Sequence, residues 1–511
     1  MNQAEAQAIA GGLHRHDPDA AFRAGLALLD ADYPEILLPA ARRLSERNRA
    51  DARLAQLFGL AARASGSGPE AFSAFARAAR LAPADPLIAQ SHAQTALEAG
   101  KPAIDLFAKA AGLAPHNGTV LLGTAAALVA EGRAQDAVAH LEQTLTANPL
   151  WIDGHRSLAA IRTQLALDPL TRIDAAIASL PGSAELHRLR IGTLLEARRA
   201  SDAVAATDRA RSAVGSQPWL ELLAAHAASE HGDYARADEH FAAAQPPASA
   251  DAASLLARHL LRTGRPEEAA ALLEPRLADS ERHLYWPYLS LAWRLLGDPR
   301  YQWLEGDDSL VGVYDLADRV GDLGALAEHL RKRHFAIQAP LDQSVRGGTQ
   351  TDGNLLLRDE EPIRRLRQVL LETVAAHVDR LPPAREGHPT LLPHREPRRI
   401  AGSWSVRLRD AGFHTDHVHS QGWLSSAFYV ALPGADPAAD AKAPGAGPAD
   451  HAGWLSLGES RDLVPELSPL RLVEPRPGRL VLFPSTMWHG TRPFPSGERL
   501  TVAFDIAVPK Q

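Results

Sequence analysis

The sequence predicts an all-α repeat solenoid followed by a smaller antiparallel β domain with helices packed on it. Three observations carry this. Proline and glycine recur at intervals of about 33 residues through the alanine- and leucine-rich first 280 positions. Beyond Trp404 the texture changes to short β-like runs. Between two of these runs, GFHTDHVHSQGWLSSAFYVALPG gathers His414, Asp416, His417 and His419 within six residues.

The repeats come first. Pro83, Pro115, Pro149 and Pro181 lie 32, 34 and 32 residues apart, and Gly100, Gly132, Gly232 and Gly264 fall in small-residue turns. Proline closes each unit because a helix interior cannot hold it, and small residues let paired helices approach closely. The gap from Gly132 to Gly232 holds three repeat lengths, filled by two degenerate units around LALDPLTRIDAA and EARRASDAVAA. A helix–turn–helix unit of this length resembles the tetratricopeptide repeat, with GTAAALVAEGRAQDAVAHLEQTLTANP as its clearest example and roughly six to seven units in all. Such a solenoid carries no chemistry of its own and offers a curved surface for a peptide or protein partner.

The predicted organisation is residues 1–280 as solenoid, 281–395 as a cap and linking region packed on the last part, and 396–511 as the β core. In the middle section SLVGVYDLAD reads as a short strand and GALAEHLRKRHF as a helix. APLDQSVRGGTQTDGNL reads as a polar loop in which Gly347 and Gly348 permit a tight turn and which can fold over a site. EEPIRRLRQVLLETVAAHVDRL is a helix with Ile363, Leu366, Val369, Leu370 and Val374 on one face. In the β core WSVRL, WLSSAFYVAL, GWLSLGE, LRLVEP, RLVLFP and RLTVAFDIAV read as strands. An Ala-, Pro-, Gly- and Asp-rich insertion, 435–452, reads as a mobile segment able to lie over the mouth of the fold. Trp423, Trp454 and Trp488 read as packing residues, Trp488 also as a border to a substrate pocket.

Composition narrows the chemistry. The chain of 511 residues is 45% hydrophobic with a net charge of -7, so nothing asks for a nucleic acid or an anionic membrane as partner. It has no cysteine, which excludes disulfides, thiolate zinc, iron–sulfur clusters and a cysteine nucleophile. Its opening residues show no secretory pattern and no stretch is apolar enough to span a membrane, so a cytoplasmic location is expected.

A metal must then use His, Asp, Glu or backbone oxygen. Two histidines at i and i+2 on an extended segment point the same way. A third from a separate strand end, His489 in FPSTMWHG, can complete one face of an octahedron and leave open positions, the usual set for non-haem iron being two histidines and a carboxylate. Two pairs offer themselves, His417/His419 and His414/Asp416. His414 and His417, three apart, should point to opposite faces of an extended strand. On the last strand Leu500, Val502, Phe504 and Ile506 share an apolar face, while Arg499, Thr501, Ala503 and Asp505 share the other, putting a cation and a hydroxyl into a cavity. An arginine there can grip a carboxylate with its donor fork.

His…His…ten residues…Arg on successive β elements resembles the Fe(II)- and 2-oxoglutarate-dependent oxygenases, whose core is a double-stranded β-helix, or jelly roll. HVHSQGWLSSAFYVALP, GWLSLGE, PRPGRLVLFPSTMWHGTRPF and ERLTVAFDI look like the branch of that family often fused to tetratricopeptide repeats, and PLDQSVRGGTQTDGNL resembles a segment found upstream in such fusions. The resemblance covers about residues 395–509. It implies a hydroxylase using Fe(II), 2-oxoglutarate and O₂, giving succinate and CO₂, with no catalytic residues beyond the metal centre. His489 matches the distal metal ligand and Arg499 the residue that grips 2-oxoglutarate. From the residues themselves, Thr501, on the same face as Arg499, is a candidate second donor to the cosubstrate, and Tyr429 either reaches the cosubstrate carboxylate or packs. For the proximal ligands, His414 and Asp416 have the family's usual H-x-D spacing, whereas the flanking residues of the narrower branch align with His417 and His419, the preferred pair. The long solenoid points to a polypeptide or partner-delivered substrate. The alternatives are a non-catalytic repeat scaffold with a structural jelly roll, and a cupin-like enzyme with a three-histidine metal.

Overall fold

The computed structural model describes residues 1–244, 247–341, 343–434 and 451–510. The insertion at 435–452 falls, apart from its last two residues, outside them. After a first helix, Gln3–Gly12, eight helical hairpins follow among the described residues. Their leading helices start at 18, 52, 86, 118, 152, 184, 218 and 250. The period is written in the caps. Asp17, Asp51, Asp85, Asn117, Ser183 and Ser249 each precede a leading helix and accept hydrogen bonds from its first free amides, about 1 kcal/mol apiece. Close helix approach uses missing side chains: a Cβ on Gly123 would lie 2.2 Å from the Phe107 ring.

The turn inside each hairpin needs one left-handed residue. Glycine supplies it at 66, 100, 132, 232 and 264, but Asp32 (φ 58), Ala166 (φ 57) and Arg198 (φ 55) take the same position, at a cost of roughly 1–2 kcal/mol each. The two degenerate units are therefore full hairpins whose turn glycine is replaced. The total is eight rather than six to seven.

The C-terminal region is an antiparallel sheet of nine described strands: β1 (Gly312–Asp315), β2 (Val345–Gln350), β3 (Ile400–His417), β4 (Gly422–Ala431), β5 (Leu455–Leu457), β6 (Arg471–Val473), β7 (Arg479–Pro484), β8 (His489–Thr491) and β9 (Glu498–Ala507). Strand β3 is the hinge of the arrangement. Val406 pairs with both Thr501 of β9 and Gln350 of β2, and His414 pairs with both Thr491 of β8 and Val345 of β2. β8 and β9 therefore share one edge of β3, and β2 holds the other. One layer runs β1-β7-β4-β9 and the second β6-β5-β8. Only residues 485–488 join β7 to β8, so the layers must face each other, and the sheet curls into an open half-barrel. An apolar cluster of Tyr429, Leu455, Leu457, Val473, Val481 and Phe483 lies between them.

Behind the first layer, the helix Glu361–Arg380 packs Ile363, Leu366, Leu370 and Val374 against Leu500, Val502, Phe504 and Ile506 of β9. The alternation read along β9 is thus realised. The segment expected as a loop at 339–355 instead contains β2. Its glycines hide any alternation, and pairing with the open edge of β3 makes the strand, with a register shift between Arg346 and Gly348.

The solenoid docks through the edge that carries its left-handed turns. Arg367 donates to the Gly66 carbonyl (2.8 Å), Asp359 N–H to Ala99 (3.0 Å), Gln164 to Asp352 (2.7 Å) and Arg198 to Thr415 (2.9 Å). At its far end Trp286, Leu289 and Trp293 share a core with Leu463, Val464 and Trp488, whose indole N–H donates to the Pro287 carbonyl. Among the described residues no helix is long and apolar enough to cross a membrane.

Two histidines in this C-terminal packing give a pH prediction. His377, bonded to Tyr314, and His388, which accepts from the amides of Thr390 and Leu391, are both 2% exposed, and burial pushes each down to about 4. Unfolded histidine binds its proton near 6.5, so between that pH and about 4 the unfolded chain holds more protons and stability falls as pH falls. The loss is on the order of 1–3 kcal/mol per histidine. Thermal melts from pH 7 down should show it, and His388→Gln should flatten the slope; an unchanged slope in that variant would contradict the assignment.

Candidate metal centre

His417 ends β3, His489 begins β8 directly opposite it, and His419 follows in the turn to β4. Their ring centroids lie 4.1, 5.0 and 5.1 Å apart, and one nitrogen from each falls within 4.8 Å of the others. Each ring has its Nδ1 tied to an acceptor. His417 donates to the Thr415 carbonyl (2.9 Å), His489 to the Met487 carbonyl (3.0 Å) and His419 to the Asp505 carboxylate (2.9 Å). With Nδ1 tied in this way, Nε2 is the nitrogen each ring keeps for a metal. Burial first, then the neighbouring imidazoles, push His417 and His489 well below the usual histidine range, so both are neutral. The donor set fits a divalent transition metal with imidazole preference. The Ser344 hydroxyl, 3.2 Å from His417 Nε2, would give up that contact to a metal and keep His414 Nδ1 (2.9 Å).

Asp416 is elsewhere. It is 8% exposed and forms a two-pronged ion pair with Arg461 (2.8 and 2.6 Å) plus a bond from the Arg461 amide (2.8 Å), beside Gly490. His414 lines the cavity, with burial and Arg499 pushing it down to about 3. Its ring stacks on His417 at 5.9 Å. The expectation that His414 and His417 oppose each other across the strand is wrong. His414 pairs with Thr491 and His417 with His489, three steps on β3 against two on β8. That bulge flips the parity and brings both rings to one side.

Arg499 enters the same cavity from β9 with Thr501 and Ala503. It is 3% exposed, donates to the Gly453 carbonyl (2.7 Å) and stacks over the Tyr429 ring at 5.0 Å. Among the described residues no carboxylate pairs with it, and its Nε and the Tyr429 hydroxyl are buried without partners. Burial lowers the Arg499 pKa and raises that of Tyr429. A buried guanidinium without a counter-ion is costly, and the cavity it faces is where an anion would relieve that cost. Trp423 packs in the core with the helices, Trp454 meets His451, and Trp488 closes the wall of the cleft outside His417 and His419.

Sequence reasoning did not give Asp505 a role, although the β9 alternation placed it on the cavity face. Ser344 and Gln343 reach the cavity from the segment read as able to fold over it. Arg461, the partner of Asp416, carries no signal in the sequence. We expect Asp416→Asn to keep stoichiometric metal and to lower the melting temperature, because it strands Arg461; loss of metal at unchanged stability would return Asp416 to the ligand set.

Residues 402–505 match the family model described as "Putative 2OG-Fe(II) oxygenase". A search of curated proteins returned no match. Similar solved structures include a tetratricopeptide repeat protein from Parabacteroides merdae (15% identity, 45% of this chain and 94% of that one, TM-score 0.29). Others are YrrB, a tetratricopeptide protein with an unusual peptide-binding site (18%, 35% and 95%, TM-score 0.24), and yeast Tom70 (16%, 53% and 61%, TM-score 0.34). The chain is an N-terminal α-solenoid that resembles tetratricopeptide-repeat folds, fused to a C-terminal region that matches the 2OG-Fe(II) oxygenase family.

Proposed function

We propose that the C-terminal region, 396–511 with its support from 281–395, is a double-stranded β-helix oxygenase dependent on Fe(II) and 2-oxoglutarate. In this reading it hydroxylates a polypeptide or partner-delivered substrate. The observation that carries this is the pairing, in one cavity, of three clustered imidazoles with a buried arginine that has no counter-ion among the described residues. His417, His419 and His489 would hold Fe(II), which would supply the redox chemistry for a hydroxylation coupled to 2-oxoglutarate and O₂, with succinate and CO₂ as coproducts.

The chain's own residues do the rest. Asp505 orients His419, while the Thr415 and Met487 carbonyls orient the other two rings. Arg499 binds the far carboxylate of 2-oxoglutarate, with Tyr429 and Thr501 as added hydroxyl donors. Phe483 against His489 (4.7 Å) and Leu455 keep water from the inner wall. A scaffold without catalysis needs no counter-ion-free arginine in its core, and a three-histidine enzyme without a cosubstrate gives it no ligand. Calorimetric titration of the Mn(II)-loaded protein under nitrogen tests the reading. 2-Oxoglutarate should bind at one equivalent and only with metal present; metal-independent or absent binding would sink it.

A further inference from the structure

Two clefts meet beside β2. The first, about 950 Å³, lies between the Glu196–Arg199 turn of the solenoid and β2. The second, about 1020 Å³, runs from the solenoid past Trp404 and Trp488 to His417 and His419. Both include Glu196, Arg198 and Gln343, so they join at Arg198. Joined, they exceed the roughly 300–1,000 Å³ of small-molecule sites.

The first cleft is basic in a chain of net charge -7. Of the arginines lining it, Arg199 pairs with Asp202 and Arg407 with Glu498. Arg346 spends one nitrogen on the Gln343 and Val345 carbonyls, and neither it nor the exposed Arg409 has a carboxylate within pairing distance among the described residues. Arg198 meets Asp462 only at 3.8 Å and reaches Thr415, two residues before His417. It also holds the strained turn position that glycine fills in five of the eight repeats, so the strain places a guanidinium at the junction of the clefts. β2 pairs with β3 alone among the described residues, which leaves its other edge open, and Val345–Thr349 line the basic cleft together with Arg407 and Arg409 of β3.

We propose that the substrate-binding surface is this joined groove and that it takes an extended acidic polypeptide segment, added along the free edge of β2 with its carboxylates at Arg346, Arg409 and Arg198 and a neighbouring residue at the histidine cluster. That the bound residue is then oxidised rests on the function proposed above; the binding does not. An edge strand recognises main chain by hydrogen bonds and leaves side chains to pockets. A nucleic acid fits less well: the basic cleft offers no Trp, Tyr or Phe for stacking, and Glu230 and Asp462 line the second cleft.

Fluorescence anisotropy with the full chain, without added metal or cosubstrate, tests this. The probes are labelled peptides of repeated Glu-Ala-Ser, Gln-Ala-Ser and Lys-Ala-Ser and an oligouridylate. The acidic peptide should bind about tenfold or more tighter than its Gln counterpart at low salt. Arg409→Glu, an exposed change that leaves the core intact, and Arg346→Ala should each erase most of that difference. Hydrogen exchange should show protection at 192–200 and 343–350. Equal affinity for the Gln peptide, wild-type affinity in both variants, or protection elsewhere would overturn the proposal, and tighter binding of the oligouridylate would assign the groove to nucleic acid instead. Because no metal is present, failure here leaves the oxygenase reading standing, and failure of metal binding leaves this result standing.

Discussion

Replacing His489 with alanine removes tight, stoichiometric binding of Fe(II), or of Mn(II) or Co(II) in its place. Three nitrogens within 4.8 Å make the centre, and among the described residues no neighbouring carboxylate is free to substitute. Asp505 is held by His419 and Ser425, and Asp416 by Arg461. The loss should exceed the roughly 10- to 100-fold that removing an outer partner costs. Asp505→Asn should show that smaller effect, since it leaves the His419 ring in place without its carboxylate. His417→Ala and His419→Ala should behave like His489→Ala, and His414→Ala should retain the metal. Anaerobic reconstitution followed by metal analysis reads all of these. Equal stoichiometry in wild type and His489→Ala would show that the metal is bound elsewhere.

Arg499→Ala raises the 2-oxoglutarate concentration needed for binding while metal content stays unchanged. Truncating one partner of a buried charge pair costs about 2–5 kcal/mol, roughly 30- to several-thousand-fold. Arg499→Lys should recover only part, because a point charge lacks the guanidinium fork. A second readout separates function from packing. In the ligand-free protein the unpaired charge of Arg499 is itself a cost, so Arg499→Met should melt no lower than wild type without 2-oxoglutarate, yet lose the stabilisation that wild type gains from it. A variant that melts much lower without ligand, with unchanged 2-oxoglutarate affinity measured calorimetrically, would make Arg499 a structural residue.

Much of this was legible in the chain because it depends on local periodicity. The 32- and 34-residue steps placed the solenoid, and the two-residue period of β9 separated Leu500, Val502, Phe504 and Ile506 from Arg499, Thr501 and Asp505. What could not be read depends on pairing across long separations. β2 has no alternation of its own and exists as the partner of β3. The bulge between His414 and His417 is set by the strand opposite, so counting residues along β3 gave the wrong face for His414. Arg461 reaches Asp416 from 45 residues away. Ala166 and Arg198 hid two turns because the left-handed position tolerates other residues at modest cost where the surrounding helices enforce it.

A crystal structure of the full chain grown under nitrogen with Mn(II) and 2-oxoglutarate bears most directly on the proposed site. It should show the metal about 2 Å from the Nε2 atoms of His417, His419 and His489, Asp416 still paired with Arg461, and the far carboxylate of 2-oxoglutarate on the Arg499 guanidinium. A metal held by His414 and an Asp416 oxygen, or 2-oxoglutarate bound away from Arg499, would contradict it.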